Sequence, residues 1–201
     1  MIDFEEQQAE PNFPILAVQS APQTSKLFLL IGLPGSGKSF WATKLRQDCP
    51  RRRVISTDEI RSRLFGNAAT QGTWLKIWRT IGLEFRQAVQ QIAQGEVTEA
   101  VYDATNAVRR QRRKAIALAR QCGFTQITGV WINPPVELCL ERNQRRDRTV
   151  PLAVILKMHR SLTAAPPALP EGLDDLIEVG SESQTIDLWR TERDRLDDLL
   201  T

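Results

Sequence analysis

Three cysteines, one histidine and the want of any long apolar run set the first limits on this 201-residue chain. Cys49, Cys122 and Cys139 are odd in number, far apart and form no C-x-x-C pair, so neither a disulfide framework nor a zinc site is expected. His159 falls beside Arg160 in a helical stretch, and no recognisable triad forms around it. No segment has the length of a membrane span, and Asp3, Glu5 and Glu6 stand where a signal peptide carries positive charge. A cytoplasmic protein is therefore expected. There is no internal repeat or long low-complexity tract. No N-K-x-D tetrapeptide of the guanine-reading kind occurs either, which disfavours a GTPase switch without establishing adenine.

The composition is ordinary, with 41% hydrophobic and 25% charged residues, and the length suits one well-buried α/β domain. A net charge of +3 does not by itself argue for nucleic acid. Its distribution is more telling. Arginines crowd 51–53, 109–113 and 142–148, and the stretch after Pro170 is acidic.

The strongest signal is Gly32-Leu33-Pro34-Gly35-Ser36-Gly37-Lys38-Ser39, which satisfies G-x-x-x-x-G-K-[ST]. Glycines allow positive φ and leave no side chain in the way, so successive N–H groups converge on phosphate oxygens at a helix N-terminus. Lys38 adds a cation for the outer phosphates, and the Ser39 hydroxyl is a ligand for Mg²⁺. The context agrees, because the apolar run Lys26 to Ile31 precedes the loop and a helical stretch, Phe40 to Asp48, follows it.

Residues 1–25 are rich in Gln, Pro and acidic side chains and read as an extension outside the core, with the composition of a disordered segment. The nucleotide-binding domain is expected over 26–201. Strands are expected at 53–56, at 97–102 ending in Asp103, at 124–132 and at 176–179. Helices are expected at 73–94, 108–122, from Pro134-Pro135 to about 145, and from Pro151 to about 162. Alternating strands and helices imply a mostly parallel sheet covered on both faces, with ligands outside the C-terminal strand ends.

Polar residues just past those strands are the candidates for chemistry. Asp58 suits a general base that takes a proton from an acceptor hydroxyl, although a helix N-cap also explains an aspartate there. Asp103, at the end of an apolar strand, suits Mg²⁺ held directly or through water. The run Arg142 to Arg148 exceeds what one Glu141 to Arg145 helix pair accounts for, and arginines on a flap offset charge on a moving phosphoryl group. Arg109, Arg110, Arg112 and Arg113 occupy the first turns of their helix, where the macrodipole disfavours cations. Either an anionic partner or solvation resolves that conflict. Trp74 and Trp78 lie on the apolar stripe of the long helix and are expected in the core rather than stacked on bases.

Across roughly 27–169 the chain resembles the P-loop kinases of the polynucleotide 5′-hydroxyl kinase type. The likeness rests on an ordered set: the phosphate loop, Asp58-x-x-Arg61, Asp103-x-Thr105-Asn106, Arg112-Arg113, and Arg142-Asn143-x-x-Arg146 before Val150-Pro151. The resemblance implies a P-loop NTPase fold, a three-layer α/β/α sandwich with a mostly parallel sheet and a basic helical lid at about 142–150. It implies ATP and Mg²⁺ as cofactors, with Ser39 and Asp103 at the metal. Asp58 becomes the base, Lys38 and Arg146 act on the transferring phosphate, and Arg142 assists at the nucleotide. Arg61, Asp103, Asn106 and Arg113 face the acceptor. Thr57 stands where phage-type members show a basic residue. The acceptor implied first is a polynucleotide 5′-hydroxyl. Zeta-toxin-like and small-molecule relatives leave a nucleotide sugar, nucleoside, metabolite or drug as alternatives, and a nucleotide-binding module without turnover as another.

Overall fold

A computed structural model describes residues 24–66, 73–146 and 148–180. The expected extension at 1–25 therefore falls almost wholly outside the described residues, as does the polar segment after 180. The chain alternates strand and helix: β1 Lys26–Ile31, α1 Lys38–Asp48, β2 Arg53–Ser56, α2 Thr57–Phe65, α3 Trp74–Ala93 and β3 Ala100–Asp103. It continues with α4 Arg109–Cys122, β4 Gln126–Ile132, α5 Val136–Gln144, α6 Leu152–Ala164, a 3₁₀ turn Leu169–Glu171 and β5 Asp175–Val179. None of the described helices is long and apolar enough to cross a membrane.

The five strands pair in the order β2-β3-β1-β4-β5, every pair parallel. Both faces of the sheet are covered, so its central strands are apolar throughout rather than alternating. β1 shows this most clearly. Leu27, Leu29 and Ile31 pack toward α3, α4 and α6, whereas Phe28 and Leu30 pack toward Trp41, Ala42 and Leu45 of α1. Phe85 of α3 anchors the larger core by meeting the Tyr102 and Phe124 rings edge-on, at centroid separations of 5.2 and 5.6 Å. Burying a side chain of this size contributes about 1.5–3 kcal/mol.

Two expectations shift at their edges. β3 begins at Ala100 rather than Val97, because the Val97 and Thr98 amides donate to Gln91 O and Arg51 O and make a turn. The buried stripe of α3 runs through Ile77, Ile81, Phe85, Ala88 and Ile92. Trp74 is not in the core, as its first-turn position lies one turn before Ile77, the first buried residue, and leaves it 50% exposed. Trp78 packs partly against the core, and the two indoles stack 5.9 Å apart.

Two of the arginines at the start of α4, Arg112 and Arg109, find an anion inside the protein. Arg112 is fully buried and grips Glu171 with two parallel bonds, Nε to Oε2 and Nη2 to Oε1, each 2.6 Å. Its remaining donors reach Asn106 O at 3.1 Å and Ala165 O at 3.0 Å, so one guanidinium ties together the loop after β3, the end of α6 and the 3₁₀ turn. Arg109 approaches the same carboxylate at 3.7 Å. Removing one partner of such a pair strands the other charge, at a cost of about 3–5 kcal/mol. Arg113 stands exposed one residue along, outside this network.

Candidate active site

The sheet order places the ends of β1, β3 and β2 side by side, and each delivers a polar residue to one edge. Gly32, just past β1, is held by its amide on Thr105 O at 3.0 Å, and a turn bond from Ser36 N to Leu33 O begins the phosphate loop. Gly37 caps α1 in the left-handed region, at φ 104°, and puts Lys38 in the first turn. That turn carries no acidic residue, so the positive end of the helix dipole and its free N–H groups stay available to an anion.

The fit around this loop is tight. A Cβ on Gly35 would stand 2.2 Å from the carbonyl oxygen of Cys139 in α5. A Cβ on Gly37 would stand 3.9 Å from Nη1 of Arg142, so α5 lies against the loop and sets a guanidinium beside it.

Lys38 is buried and folds back on its own loop, donating to Leu33 O at 2.7 Å and to Ser36 Oγ at 3.4 Å. Burial lowers its pKa to about 8, against the opposing pull of Asp103. The Ser39 hydroxyl donates to Asp103 Oδ2 at 2.9 Å, joining the helix after the loop to the end of β3. Burial holds the Asp103 carboxyl above its usual range, offset in part by the Lys38 charge and the Ser39 bond.

Asp58 arrives at the same edge through β2. Ser56 stands beside Asp103 in the β2–β3 register, and Thr57 Oγ1 donates to Asp103 O at 3.2 Å. The N-cap of α2 is Ser56, whose Oγ accepts from Glu59 N at 3.5 Å, so capping does not account for Asp58. Its side chain is 59% exposed, with Oδ1 accepting a hydrogen bond from Arg61 Nη1 at 2.7 Å and lying 3.2 Å from Arg148 Nη1 in an ion pair. Oδ2 has no bond from a described residue.

Four arginines of the 142–148 run therefore part company. Arg145 pairs with Glu141 on the exposed surface at 2.6 Å, as its helical spacing suggests. Arg142 lies by Gly37, and Arg146 is close enough for its charge to act on both Lys38 and Asp103. Arg148, which the sequence did not single out, reaches Asp58. The structure brings together the phosphate loop, Asp103, Asp58, Arg61, Arg142 and Arg146. Two expected acceptor residues show no contact with that group. Asn106 is buried with φ 46°, a left-handed conformation that Asn tolerates, and its Nδ2 donates to Leu30 O at 2.8 Å. Arg113 lies on the exposed side of α4.

The sequence model of the AAA domain family matches residues 27–165, a span that includes the phosphate loop and the arginines at 142–148. The chain belongs to that family of P-loop kinases. A curated relative, the L-seryl-tRNA(Sec) kinase of Methanococcus maripaludis, is 25% identical over 141 residues, covering 66% of this chain and 51% of that protein. The chain thus spans about half the length of this relative. Among solved structures, the Pnkp1/Rnl/Hen1 RNA repair complex contains a chain matched at TM-score 0.59 and 20% identity, over 73% of this chain and 46% of that one. A sugar kinase from Janibacter matches at TM-score 0.58 and 18% identity, over 85% and 95%. At such identities the likeness concerns the fold, a parallel five-stranded sheet with helices on both sides.

Proposed function

We propose that this protein moves the γ-phosphoryl group of ATP to a hydroxyl acceptor, first of all the 5′-hydroxyl of a polynucleotide. The observation that carries the reading is Asp58, a carboxylate with one oxygen held by arginine and the other open, on the same strand edge as the phosphate loop. The open oxygen takes the acceptor proton as the acceptor oxygen bonds to phosphorus and the bond to the ADP leaving oxygen breaks. Lys38 and Arg142 hold the phosphates, and Arg146 meets charge that develops on the transferring group. Arg61, one turn from the base, suits a phosphate next to the reacting hydroxyl.

Mg²⁺ fits the donor set. Ser39 and Asp103 offer a hydroxyl and a carboxylate 2.9 Å apart, and this ion takes few protein oxygens alongside waters and phosphates. It would supply neutralisation of phosphate charge.

A second reading, phosphorylation of a small polyol or other neutral metabolite, is favoured by one feature. A cavity of about 660 Å³ runs from Asp58 along β2, and its walls include Asp58, Glu59 and Glu84 against Arg53 and Arg63. Glu84 pairs with both of those arginines, which leaves little positive charge for a polyanion. Transfer of radiolabel from ATP decides between them. Labelling of a 5′-hydroxyl oligonucleotide, with Arg61→Ala flattening the dependence of its apparent affinity on salt, is expected. Labelling of polyols alone, with no salt dependence, would give the reaction to the small-molecule reading.

The depressed Lys38 pKa makes a further expectation. Phosphate charge raises that pKa on binding, so the lysine's contribution to ATP affinity is full below its free-protein value of about 8 and declines at higher pH. Titrations from about pH 7 to about pH 9.5 should show affinity falling by up to about tenfold per unit in the upper range. Lys38→Met should abolish the slope. A wild-type affinity independent of pH would contradict the assignment.

A further inference from the structure

Asp58 presents an uneven pair of oxygens. Both of its described arginine partners bind Oδ1, Arg61 from the next turn of α2 and Arg148 from the segment between α5 and α6. A carboxylate 59% exposed on a helix turns freely about its terminal bond unless something fixes it. Arg61 hydrogen-bonds Oδ1 from its own helix, Arg148 pairs with the same oxygen from a different element, and no described residue hydrogen-bonds Oδ2.

The segment that supplies the second arginine is itself tied. Asn143 Nδ2 donates to Val150 O at 2.9 Å, and Val150 N donates to Asn143 Oδ1 at 3.0 Å, closing the loop at its base. Arg146 and Arg148 thus ride on one loop, the first within range of Lys38 and Asp103 and the second on Asp58. Arg145, between Arg142 and Arg146, spends its charge on Glu141 instead.

We propose that Arg148 is a positioning residue for the reaction: it holds Oδ1 of Asp58 so that Oδ2 faces the acceptor hydroxyl, from the loop that also delivers Arg146 to the phosphates. Base orientation and phosphate contact then depend on the same loop geometry. This rests on the reading of Asp58 as the base, and the kinetic and exchange measurements below separate the two.

The test is a double-mutant cycle in the full chain, with Arg148→Ala, Arg148→Lys, Asp58→Asn and the Arg148→Ala/Asp58→Asn pair. With radiolabelled ATP and a 5′-hydroxyl oligonucleotide, Arg148→Ala should lower kcat by about fivefold or more while both KM values stay within about twofold. Arg148→Lys should recover part of that loss, and Arg148→Ala should add nothing in the Asp58→Asn background. Hydrogen exchange without substrate gives the second readout. Either single change should speed exchange at 57–61 by up to about fivefold, and the pair no further. A raised oligonucleotide KM at unchanged kcat would make Arg148 an acceptor-binding residue and overturn the proposal. Additive losses in the cycle, or exchange at 57–61 that ignores Arg148, would overturn it equally. If the wild-type chain labels no oligonucleotide, the acceptor reading fails and the exchange cycle alone decides on Arg148. If Asp58→Asn retains full transfer while exchange still couples, the base reading falls and this proposal with it.

Discussion

Asp58→Asn is expected to lower transfer by about 10²–10⁴-fold while ATP binding stays at the wild-type level. Asparagine keeps the shape of the side chain but not its charge, so the ion pairs with Arg61 and Arg148 weaken while the side chain stays in place. The α2 N-terminus depends on Ser56 rather than Asp58, so the helix keeps its cap. The change removes the second carboxylate oxygen and its basicity, leaving nothing to take the proton as the acceptor oxygen attacks. Because the loss falls on chemistry, kcat drops and the equilibrium affinity for ATP does not. Single-turnover transfer measured beside ATP titration checks the split. Retention of most of the turnover would show that the proton leaves by another route.

Much of this site was legible because its parts are local in sequence. The phosphate loop needs glycines at fixed spacing between a strand and a helix, and β1 and α1 flank it as their apolar patterns require. The placement of Asp58 and Asp103 on one edge was legible because a parallel sheet presents its C-terminal strand ends to one side, and the β2–β3 register does set Ser56 beside Asp103.

What escaped was non-local. Arg112 looked like a conflict with the helix dipole until Glu171, 59 residues later, came to it, and no spacing rule links the two. Arg148 differs from its neighbouring arginines only in where the loop between α5 and α6 turns, which the tie between Asn143 and Val150 helps to set. The bond from the Asn106 amide to the Leu30 carbonyl was also invisible, because a backbone group carries no sequence signature. Trp74 obeyed the helical period and still missed the core, because periodicity gives a direction around the helix and not how far along it the core extends.

The contact between α5 and the phosphate loop is of the same backbone kind, and Gly35→Ala puts it to the test. Gly35 sits at φ 81°, where an L side chain costs about 1–2 kcal/mol on its own. The new Cβ would also lie 2.2 Å from Cys139 O, 3.1 Å from Cys139 C and 3.3 Å from Cys139 Cα, all backbone atoms that no rotamer change moves. Either α5 backs away or the loop deforms. In both cases the Arg142 guanidinium leaves Gly37, and the N–H groups that gather phosphate lose their arrangement. Gly95→Ala is the matched control, since its φ of 72° imposes similar backbone strain with nothing within 4 Å of the added carbon. Gly35→Ala should lose about 1–3 kcal/mol more stability than Gly95→Ala from the forced overlap, read by chemical denaturation, and ATP affinity should fall more than about tenfold only in the former. Equal stability losses in the two variants, with ATP binding intact in both, would mean that α5 does not clasp the loop and that its arginine is not held at the nucleotide by this packing.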